Sequence, residues 1–264
     1  MEPSFGPERP SPEHTIPPTP LRPPGLEFAM GVALFGVIVL VFFLVQSGVF
    51  IRNVMNMTPE YQGRGFSFML VNEPHFQERM MALGTNGDAL APAALWSGLA
   101  GLVLIVASVV LWKRGRTARF LGLQLPHWRP ALIWTGAFLL LGLAIEGAAR
   151  LSPIFRTDFM QQVLATITDT APLVLGVGIM APLFEEFLLR GLLFGSMRHL
   201  LDEHTSVAIT AGVFALMHMQ YSVAIILLIL PMGVVLGYAR ARSGSIWVPV
   251  ALHMLNNLVT VFLG

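Results

Sequence analysis

Long uncharged apolar runs separated by short polar or basic stretches set the pattern of this chain. The first run covers 28–50 and the second 91–112. A third, 130–149, is interrupted only by Glu146. A fourth starts near Ala171 and passes through Glu185, Glu186 and Arg190 to about Phe194. Three more follow at 206–219, 224–238 and 246–263. A helix needs about 20 apolar residues to cross the hydrocarbon core of a bilayer. The pattern therefore predicts an all-α, polytopic transmembrane helical bundle of about seven spans, the fifth and sixth marginal unless they borrow flanking residues.

Composition agrees with the pattern. Hydrophobic residues make up 55% of the 264, charged residues 12%, and the mean hydropathy is +0.69. Soluble domains carry about twice that charged fraction. A net charge of +1 gives a nucleic-acid partner little electrostatic support. With no cysteine, disulfides, thiolate metal sites and a Cys nucleophile are excluded. Residues 1–25, rich in Pro and polar groups, read as a disordered tail. The first apolar run lies too far from the start, and is too long, for a signal peptide. Residues 26–170 then hold the N-terminal spans and 171–264 the part that carries chemistry.

Short basic loops orient the spans. Lys113, Arg114, Arg116 and Arg119 follow the second run, and Arg240 and Arg242 separate the sixth from the seventh. In a seven-span chain both loops fall on one side, which predicts a cytoplasmic N-terminus. Residues 51–90 become an outer loop. Residues 152–170 become an outer segment with an interfacial helix, since Phe155, Phe159 and Val163 recur at helical spacing. Glu146 is expected near an outer interface, either snorkelling or paired with Arg150, and Trp112 and Trp247 are expected to anchor at the interface.

Ionisable side chains at membrane depth are costly, so they need a reason. Only two of the seven histidines, His218 and His253, fall in apolar runs. Glu185, Glu186 and Arg190 lie in the fourth run, Asn256 and Asn257 in the seventh. Glu186 and Arg190, four apart, share a face and can pair; Glu185, turned by about 100°, points elsewhere. His253 and Asn257 also share a face. Pro182, one turn before the glutamates, is expected to kink the helix. Pro231, Gly233 and Gly237 would let the sixth run bend and pack closely. A glutamate as general base, a histidine holding water, and a second histidine with an amide facing an oxyanion make up a peptide-hydrolysing set. The alternative set holds zinc between Glu186, His218 and His253.

These residues resemble three motifs of the CPBP family, which includes type II CAAX prenyl endopeptidases and Abi-type immunity proteins. Glu185-Glu186-Phe187-Leu188-Leu189-Arg190 is similar to its EExxxR motif, with Gly191 following. Phe214 with His218 resembles FxxxH, and His253 with Asn257 resembles HxxxN. The likeness covers about 171–264. It implies an intramembrane endopeptidase in which Glu185 and His218 hold and activate water. Glu186 and Arg190 would support that site, and His253 and Asn257 would stabilise the oxyanion. In this version no cofactor is required, zinc being the alternative.

Two other functions stay open: a non-catalytic immunity or peptide-binding membrane protein, and a proton-coupled transporter. A single acidic cluster and the lack of a visible repeat weigh against the transporter. The expected partners are membrane lipid and a membrane-associated peptide or protein substrate, and the expected location is a bacterial inner membrane.

Overall fold

The computed structural model describes residues 23–263, and every regular element among the described residues is helical. The tail expected over 1–25 lies outside the described residues but for its last three, where the first helix begins. The helices are α1 (Pro24–Met57), α2 (Pro74–Ala82), α3 (Gly87–Lys113), α4 (Thr117–Leu121), α5 (Trp128–Leu151) and α6 (Phe159–Ala165). They continue with α7 (Thr170–Met197), α8 (Glu203–Leu216), α9 (Val223–Ser243) and α10 (Trp247–Leu263). Five of them, α1, α3, α5, α7 and α9, are long and apolar enough to cross a membrane. Shorter α10 is apolar along its 17 residues, and α8 has 14.

All seven apolar runs form helices, but three lengths depart from the pattern. α1 does not stop near residue 50. It continues through Arg52 and Asn53 to Met57, and the Asn53 Nδ2 donates to the Ala89 carbonyl of α3 at 3.0 Å. α9 reaches a full 21 residues because Arg240 and Arg242 extend it. Arg240 turns inward, while Arg242 pairs with Glu203 of α8 at 2.6 Å. α8 is the short one. Fourteen residues rise about 21 Å, less than the roughly 30 Å hydrocarbon core, so α8 ends before His218.

Both basic loops meet at one end of the bundle. The Gly122 carbonyl accepts from the Ile246 amide at 2.8 Å, and the Ser243 carbonyl from the His127 amide at 2.9 Å. Trp247 Nε1 donates to the Leu123 carbonyl, Arg198 to the Arg119 carbonyl, and Lys113 pairs with Glu27 at the start of α1. At the other end, α2 and its flanking turns fold Tyr61, Leu70 and Phe76 onto Val54 and Met55 of α1. The segment 152–170 closes on α3 there. Val163 of α6 is buried against Ala91, and Thr168 caps Asp88 through backbone and hydroxyl at 2.9 Å. Glu146 and Arg150 pair at 2.7 Å on an exposed face of α5.

α7 is the axis of the bundle. Half of its apolar window is buried inside the protein, against 6% for α5. Small residues let its neighbours close on it, as in other membrane helix pairs. A Cβ on Gly101 of α3 would overlap the Phe184 ring, and one on Gly98 would sit 2.7 Å from Met180. Phe184 cannot retreat, because its other face stacks on Phe42 of α1 at 4.5 Å. Gly101→Leu should therefore lower stability in detergent by about 1–3 kcal/mol through overpacking. Gly142→Leu, where nothing lies within 4 Å of the new Cβ, should leave it within about 0.5 kcal/mol. Unfolding titrations in mixed micelles compare the two, and equal effects would rule out close packing at Gly101.

Candidate active site

The local form of α7 sets the site. Proline at 182 supplies no N–H, and its ring crowds the carbonyl four residues back. The helix answers by widening rather than by a simple kink. It is π-helical over Val174–Met180, α-helical over Ala181–Glu186, and π-helical again over Phe187–Leu193. Single widened turns of this kind are rare and often mark functional positions. In the first π stretch the Ala181 N–H donates to the Gly176 carbonyl. The next bond in that pattern would run from residue 182 to the Val177 carbonyl, and proline cannot make it. Asn257 of α10 makes it instead, its Nδ2 donating to Val177 O at 2.9 Å. The amide expected to face an oxyanion is thus committed to the backbone of α7. Its Oδ1 accepts from Asn256 Nδ2 at 3.4 Å.

Glu186 and Arg190 pair as their spacing predicts, Nη1 to Oε1 at 3.1 Å, with both side chains fully buried. Arg190 Nη2 donates to the Gly233 carbonyl of α9 at 2.8 Å, and the guanidinium lies 4.9 Å from the centre of the Phe214 ring. The Arg190 carbonyl accepts from Arg240 Nε at 3.1 Å. His253 of α10 adds the last partner, its Nδ1 at 3.0 Å from the same Glu186 oxygen. A carboxylate can only accept here, so Nδ1 carries the proton and Nε2 faces away.

Glu185 does not point elsewhere. Its Oε2 lies 3.9 Å from His253 Nε2, so the two adjacent glutamates approach one imidazole from opposite nitrogens. A turn of about 100° on α7 matches the two ends of a ring carried by the neighbouring helix. At 3.9 Å this is no hydrogen bond. Glu185 Oε2 is buried without a hydrogen-bond partner, and the side chain keeps 17% exposure where Glu186 has none.

His218 sits in the turn after α8, its Nδ1 donating to the Phe214 carbonyl at 2.8 Å. That bond fixes its Nδ1–H tautomer and frees Nε2. Phe214 is the hub: its ring contacts His218 at 4.8 Å, His253 edge-on at 5.4 Å, and Arg190. Tyr221 stacks on His218 at 6.2 Å and is capped by Phe159 of α6. Burial raises the Tyr221 phenol above its ordinary value, against a hydrogen bond with Gln220, and the Glu185 carboxylate adds to the rise. Tyr221 and Arg240 were not among the expected site residues. Tyr221 follows His218 by three, a spacing that could have drawn attention to it. Arg240 read as a loop charge.

The zinc alternative does not fit this placement. Among the described residues no group of three or more His, Asp or Glu is placed to hold a metal ion. Of the three expected ligands, Glu186 already accepts from Arg190 and His253, and a guanidinium beside it opposes a second cation.

Comparison with known proteins places this geometry in context. Residues 167–259 match the family model described as Type II CAAX prenyl endopeptidase Rce1-like. The match spans Glu185, Glu186, Arg190, His218, His253 and Asn257, and bears out the resemblance read from the motifs. The chain is 22% identical over 185 residues to a protein of Bacillus subtilis (strain 168) named "Putative membrane peptidase YdiL", covering 68% of this chain and 75% of that one. It is 30% identical over 128 residues to an uncharacterized 24.3 kDa protein of Escherichia coli, covering 47% of this chain and 56% of that one. No solved structure matches it.

The bond from Asn257 to the carbonyl stranded by Pro182 has a measurable signature. Asn257→Ala should cost about 1–3 kcal/mol by leaving a buried acceptor unmet. In a Pro182→Ala background, where the backbone regains its donor, most of that loss should vanish. A double-mutant cycle on detergent unfolding measures the coupling, and additive losses would refute it.

Proposed function

We propose, from the family match over residues 167–259, that this chain is a membrane endopeptidase. In this reading it hydrolyses a peptide bond of a membrane-associated protein or peptide with water activated by Glu185. One observation carries the assignment: the two adjacent glutamates differ in commitment. Glu186 Oε1 accepts from both Arg190 and His253, leaving only its Oε2 without a partner, while Glu185 takes neither donor, faces the same histidine at 3.9 Å and keeps 17% side-chain exposure.

The proposed steps begin from a water between Glu185 and His218. Water is held between Glu185 and His218 Nε2, and its oxygen attacks the scissile carbonyl as its proton passes to Glu185. A tetrahedral intermediate forms, and its oxyanion is met by His253, which enters the step as the imidazolium, with Nδ1–H on Glu186 and Nε2–H toward the oxygen. Glu185 then returns the proton to the departing amine as the carbon–nitrogen bond breaks. Arg190, Glu186 and Phe214 position the two imidazoles. Asn257 fastens α10 to the widened turn of α7, so that His253 stays opposite the glutamates. The proposal routes no step through a metal.

Glu185→Gln removes the base while keeping shape and polarity. It should lower cleavage by about 10²–10⁴-fold at unchanged stability. Arg190→Leu should act differently, unfolding the protein by about 3–5 kcal/mol because it strands Glu186. Turnover is read on peptides recovered with the Glu185→Gln variant as a trap and identified by mass spectrometry. Full turnover by Glu185→Gln, His218→Ala and His253→Ala would end the peptidase reading. Protection of cells that survives Glu185→Gln would favour a binding module.

Chelation gives a separate check. Dialysis against a strong chelator should leave the turnover of the purified chain unchanged. Activity lost on chelation and restored by zinc would return Glu186, His218 and His253 to the role of ligands.

A further inference from the structure

A cavity lies at the basic end of the bundle, away from the glutamates. Its volume is about 1010 Å³, and it opens between the start of α1 and the end of α3. Its rim is cationic. Arg114, Arg116 and Arg119 come from the loop and helix after α3, and Arg198 from the residue directly after α7. Among the described lining residues Glu27 is the one carboxylate, and it pairs with Lys113. Among the described residues no carboxylate pairs with any of these four arginines. Burial, then Arg119, holds the Arg198 guanidinium below its ordinary value. Burial together with Arg198, Lys113 and Arg119 likewise lowers the neighbouring His199. In both, burial leads and the neighbouring cations add to it.

The wall below this rim is apolar. Leu34 and Val37 of α1, with Leu111 of α3, line the cavity one to three turns along their helices, and Val37 and Leu111 are largely exposed. A soluble anion would satisfy the arginines and leave this wall bare. An anion with an acyl chain satisfies both. Guanidinium forks match phosphate oxygens in pairs, and basic pockets between membrane helices at the headgroup level take anionic lipids.

We propose that this cavity is a binding site for an anionic phospholipid, its phosphate among Arg116, Arg119 and Arg198 and one acyl chain along Leu34, Val37 and Leu111. The lipid would bridge three elements, α1, α3 and the end of α7. Because Arg198 follows Met197 directly, the occupant is tied to the helix that carries Glu185 and Glu186.

The test uses the full chain purified into phosphatidylcholine nanodiscs, with and without phosphatidylglycerol, and reads bound lipid by native mass spectrometry after release. Phosphatidylglycerol should be retained in preference to phosphatidylcholine. Arg116→Gln with Arg119→Gln, two exposed changes, should weaken that preference by about tenfold or more. Val37→Trp, which fills the wall and alters no charge, should weaken it as well. Excess inorganic phosphate should not displace the lipid. Equal retention of the two lipids overturns the proposal. So does a preference that falls with the arginines but survives Val37→Trp, since that pattern belongs to surface charge alone. Displacement by inorganic phosphate would mark a soluble-anion site and overturn it equally. Should the double arginine variant fail to fold, the lipid preference of the unaltered chain and of Val37→Trp decides.

Discussion

A guanidinium in the middle of a membrane bundle needs acceptors, and Arg190 has one on each of its two amino groups. Glu186 takes one amino group, the Gly233 carbonyl takes the other, and Phe214 offers the face of its ring. These partners come from α7, α9 and α8, so the need to neutralise one charge draws three helices together. Breaking such a pair costs more than forming it stabilises, because the survivor is left charged in a poor solvent. His253 from α10 then completes the set around Glu186.

The cluster also explains why two adjacent glutamates can play different parts. Arg190 absorbs the charge of Glu186 and holds it fully buried. Glu185 has the same chemistry one residue earlier, yet it lies by the other nitrogen of the imidazole and retains some exposure. The two carboxylates differ only in what the fold gives them as partners. Partner choice, more than residue type, is what separates a structural carboxylate from a candidate base.

Backbone chemistry does part of the work. Pro182 strands the Val177 carbonyl in a widened turn, and Asn257 repairs it across the helix interface. The proline and the asparagine are 75 positions apart, yet one creates the vacancy in the hydrogen-bond ladder that the other fills. Inside lipid no water is on hand to satisfy such a group, so the repair doubles as a fastening between α7 and α10. The same rule accounts for the glycines along α3 and α9. Gly98, Gly101, Gly233 and Gly237 bring backbones close where there is no hydrophobic force between helices to do so.

Hydropathy and spacing alone gave the all-helical class, the seven apolar runs, the pairing of Glu186 with Arg190, and the short list of polar residues at membrane depth. Those features are local. They depend on the 3.6-residue period and on the cost of charge in lipid, both of which can be read along one chain. Four things needed the tertiary structure: the meeting of Glu185 with His253, the bond from Asn257 to the Val177 carbonyl, the stacking of Tyr221 on His218, and the inward turn of Arg240. Each depends on which helix stands next to which and at what depth, and an acceptor on one helix leaves no trace in the sequence of the helix that serves it. The basic cavity lies between these cases. Its arginines were visible as a loop, but only the packing of α1, α3 and α7 set an apolar wall beneath them.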